Sequence, residues 1–217
     1  MPFWNALHLQ PVSNLLEKGG VLMFPLLLFS LLVVWIFLDR LVRFYRAAGR
    51  PEQLFVAVRE CVEKHDWEQA QDRAQAQPGP VAAVLRVLLQ AVSRDRDALE
   101  ELALHQARHE LQRLSQRLPL LNLIAGLAPL VGLLGTVVGM VKAFQQVAAA
   151  QGAVNPGMLA SGIWEALLTT VAGLMVAIPA VIFHHALDQR VKRYAFEMDH
   201  YGTLLIRLLC DTEPPNA

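Results

Sequence analysis

The chain has 217 residues, 54% of them hydrophobic, and 19 Lys and Arg balance 19 Asp and Glu, so the formal net charge is zero. That balance gives no basic excess for binding nucleic acid, and the two cysteines, Cys61 and Cys210, both fall in segments read below as cytoplasmic, where a structural disulfide is not expected. The apolar share exceeds the roughly 45–50% of an ordinary soluble domain, and the excess is concentrated in three places.

Residues 1–20 read as a short outer segment, with a surface helix closing at Gly19-Gly20. Val21–Leu38 then holds no Asp, Glu, Lys, Arg or His. A bilayer core about 30 Å thick needs about 20 helical residues, with a usable range near 17–25. A cleaved signal sequence would carry positive charge in front. Here the charge follows, at Arg40, Arg43, Arg46 and Arg50, and 21–38 reads as an uncleaved first span.

Residues 39–117 form a polar region that breaks at Gly49 and Pro51 and again at Pro78-Gly79-Pro80. Helical spacing of apolar residues predicts helices near 52–64, 66–76 and 81–93, with Leu54, Val58, Val62, Val84, Leu85, Leu88 and Leu89 facing a small core. From Asp95 there is no breaker until Pro119. Leu104, Ala107, Leu111, Leu114, Leu118, Leu121 and Ala125 recur at alternating spacings of three and four. The pattern predicts one continuous coiled-coil-like helix entering the membrane.

The second span is 118–141, the connection 142–165, the third span 166–183 and the tail 184–217; both spans lack any titratable residue. Asn155-Pro156 predicts an N-cap with proline in the first turn, and helix from there to about Leu209. Residues 39–117 carry 13 of the 19 Lys and Arg, and 143–165 carry none. The positive-inside rule therefore puts 39–117 and the tail in the cytoplasm and the N-terminus and 142–165 outside. Trp35 and Trp164 fall near span ends, where interfacial aromatics belong. The fold class expected is an all-α membrane protein with three transmembrane helices, N-out and C-in, the second and third extended into a helical cytoplasmic region.

Small residues at helical spacing let membrane helices approach closely. Ala128, Gly132, Gly135, Thr136 and Gly139 share one face of the second span, and Ala166, Thr169, Thr170, Gly173, Ala177 and Ala180 share one of the third. The first span has no such stripe and reads as lipid-facing. Either the small faces pack on each other, or they surround a narrow pathway in which Thr136 and Thr170 hold water. Ion passage generally uses a charged group at membrane depth, and none occurs in mid-span. Glu165, at the outer edge of the third span, is the one candidate, and a helix N-terminus there would favour an anion. A chain of this kind suits a sleeve around a partner helix that supplies the acid.

Glu101, His105 and His109 share a helix face at four-residue spacing, a pattern that can hold a metal but more commonly makes a solvated face. His184 and His185 stand where the third span meets the cytoplasm, and Arg190, Lys192 and Arg193 follow, in reach of anionic lipid. No nucleophile–base constellation, phosphate loop or cysteine metal motif occurs, so neither an enzyme nor a cofactor is expected.

The stretches "LAPLVGLLGTVVGMVKAF" and "GIWEALLTTVAGLMVAIPAVIFHH" resemble the ExbB/TolQ/MotA family of proton-channel subunits, as does, less closely, "LLEKGGVLMFPLLLFSLLVVWIFLDRL". The resemblance implies an inner-membrane subunit that forms pentamers around two transmembrane helices of an ExbD or TolR partner. The single-span partner carries the proton-binding aspartate, and proton flow drives a TonB- or TolA-type transducer. By motif position Thr136 and Thr170 match the family's pore-lining threonines. Glu165 matches its acid at the head of the third span, and Pro129 and Pro179 its span prolines. Gly132, Gly135, Gly139 and Gly173 are read as helix-packing positions. MotA has four spans, so the three-span layout is more similar to ExbB and TolQ. The approach to the first span and the "VAIPA" ending are most like ExbB. The alternatives are a TolQ-like subunit and a non-conducting membrane scaffold.

Overall fold

The computed structural model describes residues 20–47, 49–91, 95–149 and 156–212. The outer segment 1–20, apart from Gly20, and the expected cap Asn155 lie outside the described residues. Among the described residues every regular element is an α-helix. They are α1 (Met23–Ala47), α2 (Pro51–Glu63), α3 (Trp67–Ala76), α4 (Pro80–Gln90), α5 (Arg96–Ser115), α6 (Leu118–Ala149) and α7 (Pro156–Asp211). Stretches in α1, α6 and α7 are long and apolar enough to cross a membrane. The chain divides into two compact units, with boundaries after Phe37, Leu118 and His184.

One unit contains the end of α1, α2 to α5 and the C-terminal part of α7. Pro51 and Pro80 open α2 and α4, where a missing N–H removes no helical bond. The Asp66 carboxylate accepts from the Gln69 N–H at 3.0 Å and caps α3. Gly79 has φ +128°, a conformation open to glycine, and an added Cβ would meet the Ala47 carbonyl at 3.0 Å. Leu54, Val58 and Val62 of α2 meet Val84, Leu85, Leu88 and Leu89 of α4 in the core, joined by Leu99 of α5 and Met198, Leu205 and Leu209 of α7.

The expected continuous helix from Asp95 is instead two helices. α5 ends at Ser115 and α6 begins at Leu118. Arg117 between them has φ +68°, a left-handed conformation unfavourable for a side-chain-bearing residue. Pro119 disfavours an uninterrupted helix here. In a helix interior its missing N–H would forfeit the bond to the carbonyl four residues back and its ring would crowd that carbonyl, whereas as the second residue of α6 it interrupts no helical bond. Of the apolar repeat, Leu114 and Leu118 are buried, but Leu104 is 51% exposed.

The other unit contains α1 up to Phe37, α6 from Pro119 and α7 up to His184. The first span is not wholly free to face lipid. Met23, Leu26, Val33 and Ile36 form a buried stripe at helical spacing, while Phe24, Leu28, Leu31, Val34 and Trp35 stay exposed. Met23 and Leu26 cluster with Ala128 of α6 and Ala177 of α7, and the Phe37 ring stacks on Phe183 with centroids 3.8 Å apart. Pro129 and Pro179 lie within α6 and α7 without ending either helix. Bilayer helices tolerate such prolines where neighbouring groups serve the freed carbonyl.

Candidate functional site

The small residues of α6 and α7 meet in an antiparallel seam. Gly132 faces Thr169, Thr170 and Gly173, Gly135 faces Thr169, Gly139 faces Ala166, and Ala143 faces Gly162. Positions rise along α6 as they fall along α7, so one register holds over four contacts. The approach is between backbones. An added Cβ at Gly132 would stand 3.0 Å from the Thr169 carbonyl oxygen and 3.1 Å from the Thr170 Cα. At Gly173 it would stand 2.6 Å from the Ala128 carbonyl oxygen. Lipid tails leave no hydrophobic gain for helix association, so such contacts and the hydrogen bonds they permit supply it.

Three threonine hydroxyls lie along this seam. Thr169 is 2% exposed; its Oγ1 donates to the Ala166 carbonyl at 2.7 Å and lies 3.3 Å from that of Gly132. Thr170 Oγ1 donates across the seam to the Gly132 carbonyl at 3.0 Å. Thr136 Oγ1 donates within its own helix, to the Leu133 carbonyl at 2.7 Å. Thr136 and Thr170 remain half-buried at the margins of the seam, whereas Thr169 is sealed within it. Pro129 and Pro179 are also half-buried.

Glu165 is half-buried, with Oε1 against Gly20, whose left-handed φ of +67° and missing Cβ leave room for the carboxylate. The expected help from a helix N-terminus is absent. α7 starts at Pro156, so Glu165 lies about 14 Å along the helix at 1.5 Å per residue, and the dipole effect is confined to the first turn. Trp164 beside it is 64% exposed.

The remaining polar candidates stand apart from the seam in sequence and exposure. Glu101, His105 and His109 are exposed on α5, His185 is exposed and His184 half-buried. Lys192 pairs with Asp188 and Arg193 with Glu197, both at 2.8 Å, which commits two of the three cations Arg190, Lys192 and Arg193 to their own helix.

Sequence reasoning placed Thr169 on a small face without giving it a role, and stopped at Glu165, so it missed Gly162 and Ala143. Their signal was present. Gly162 continues the stripe of Ala166, Thr169 and Gly173 one turn earlier, and Ala143 continues that of Gly132, Gly135 and Gly139 one turn later.

A model of the MotA/TolQ/ExbB proton channel family matches residues 76–200. The chain is 33% identical to the putative biopolymer transport protein ExbB-like 1 of Synechocystis, over 92% of this chain and 80% of that protein. It is 40% identical to the biopolymer transport protein exbB1 of Vibrio cholerae, over 45% of this chain and 41% of that protein. It is 39% identical to the Tol-Pal system protein TolQ of Haemophilus influenzae, over 45% of this chain and 44% of that protein. The match thus spans under half the length of the Vibrio and Haemophilus relatives.

Proposed function

The chain belongs to the MotA/TolQ/ExbB proton channel family, a family of inner-membrane transport proteins, and we propose that it is the channel subunit of a TonB–ExbB–ExbD-type complex. In this reading copies of the chain, five in a ring, enclose single-span ExbD-type helices carrying the proton-binding aspartate. Proton flow through the ring drives a TonB-type transducer that energises outer-membrane transport. The N-terminus lies outside and residues 39–117 and the tail inside, as the placement of 13 of the 19 Lys and Arg supports. The observation that carries the reading is the pairing of acid-free spans with a backbone-close seam whose marginal threonines, Thr136 and Thr170, stay half-buried. Such spans supply a smooth polar lining and leave the titrating acid to a partner. Thr136, Thr170 and Glu165 are assigned to the proton pathway, and Gly132, Gly135, Gly139, Gly173, Pro129 and Pro179 to helix packing.

The test is proton-driven uptake in cells that rely on this chain and its partner. Thr136→Val and Thr170→Val each lower uptake while the complex still assembles; full activity in both refutes the pathway assignment. The TolQ-named relatives at 37–39% identity support a second reading, a subunit of a Tol-Pal envelope system. Restored uptake in cells lacking their own ExbB, without restored envelope integrity in cells lacking TolQ, separates the two.

A further inference from the structure

The break between α5 and α6 is wider than its proline requires. Pro119 alone asks for a kink, because a proline-bearing helix can bend while its ladder continues on either side. Here the chain instead leaves helical geometry at Gln116 and Arg117, and Arg117 adopts φ +68° without being glycine. Nothing else in the local sequence calls for this: Leu104 to Ala125 keep the spacing of a continuous helix.

Two adjacent side chains at the end of α1 engage both sides of the break. Arg40 is 1% exposed, and its Nη1 reaches the carbonyls of Arg113 at 3.2 Å and Leu114 at 3.4 Å. These belong to the last turn of α5, where carbonyls lack helical donors and a cation is favoured. Asp39 Oδ2 accepts from Arg117 Nη1 at 2.9 Å, on the other side, and Arg43 holds the same carboxylate at 3.1 Å. Arg40 Nε and Nη2 are buried with no hydrogen-bond partner, Nε lying 3.6 Å from Asp39 Oδ2. A buried guanidinium with two unsatisfied nitrogens is not placed by its own preference; the carbonyls it caps and the neighbouring carboxylate hold it there.

We propose that Asp39 and Arg40 form a clasp that converts a proline kink into a fixed two-residue joint, and that the chain relaxes to one continuous, kinked α5–α6 helix when the clasp opens. The clasp thereby sets the backbone conformation at which α6, the helix bearing Gly132, Gly135 and Thr136, begins. Asp39 and Arg40 are positioning residues, acting through Arg117 and the end of α5.

Amide hydrogen exchange on the full-length chain in detergent tests this, read on peptides covering 116–122. In the joint the amides of Leu118 and Leu120 lie at a helix N-terminus without helical acceptors. In a continuous helix those of Leu118 and Leu120 regain them. Asp39→Asn, Arg40→Met and Arg117→Ala should each slow exchange in these peptides about tenfold, because protection follows closed hydrogen bonds. Arg117→Gly, which fits the left-handed position unaided, should leave exchange fast. Mere loss of stability speeds exchange, so the sign separates positioning from damage. Unchanged or faster exchange in Arg117→Ala, a half-exposed site that tolerates the change, overturns the proposal. Should Asp39→Asn or Arg40→Met fail to fold, the contrast between Arg117→Ala and Arg117→Gly decides; equal exchange in those two also overturns it.

Discussion

Gly132→Ala is the smallest change that tests the seam. An added Cβ would lie 3.1 Å from the Thr170 Cα and 3.3 Å from the Gly173 Cα, against an optimal carbon–carbon separation of about 3.5–4.0 Å. Its obstacles are the backbone of Thr169 and the Cα atoms of Thr170 and Gly173, so no rotamer relieves it. The helices must part by about 0.5 Å or more to reach that range. Parting them stretches the bond from Thr170 Oγ1 to the Gly132 carbonyl, now 3.0 Å. Overpacking of this kind costs about 1–3 kcal/mol. Gly126 supplies the control on the same helix, because nothing lies within 4 Å of a Cβ added there. At Gly126 alanine gains helix propensity of about 1 kcal/mol. That gain is common to both substitutions, so the pair should differ by the overpacking cost alone, about 1–3 kcal/mol. The assay is unfolding of the purified chain by added denaturing detergent, followed by circular dichroism. Equal midpoints for Gly132→Ala and Gly126→Ala would refute the close backbone approach.

Gly135 presents the same test with a different remedy. Its added Cβ meets side-chain atoms of Thr169, with Thr169 Cβ at 2.5 Å, so Gly135→Ala should be destabilising alone and substantially recovered with Thr169→Gly in the same unfolding assay. Thr169→Val keeps the shape but removes the hydroxyl from Ala166 and Gly132, and should lower stability by about 1–2 kcal/mol by the same measure. Asp66→Ala removes the α3 cap and should cost about 1 kcal/mol, seen as faster amide exchange at Gln69. Gly79→Ala forces a side chain into φ +128° and should lower the thermal midpoint, with the loss read in the α2–α4 helices by exchange.

Much of this architecture was legible because membrane spans announce themselves by the absence of charge. Val21–Leu38, Leu118–Val141 and Ala166–Phe183 needed only a search for missing titratable groups, and each falls on a long apolar helix. The breaks at Pro51 and Pro80 and the cores of α2 and α4 followed from proline placement and helical spacing, although each proline opens its helix rather than standing before it. The α5–α6 break was not legible. Arg117 is an ordinary residue, and the carboxylate it donates to, Asp39, is far away in sequence. Periodicity reports which face is apolar, not whether the helix carrying it is interrupted. The partner of each small face was likewise beyond periodicity. A stripe of glycines shows that something approaches closely, but only the register of Gly132 on Thr169 and Gly139 on Ala166 says what.

The hydroxyls along the seam have one further consequence. Each threonine owns a single proton, and in all three that proton is directed at a carbonyl of this chain: Leu133 for Thr136, Ala166 for Thr169 and Gly132 for Thr170. What Thr136 and Thr170 keep for an outside group is their oxygen lone pairs. On the pathway proposed above, a lining of that kind is one-sided in its chemistry. It welcomes hydronium or a protonated carboxylic acid, which arrive with a hydrogen to give, and offers nothing to a bare carboxylate or a chloride ion.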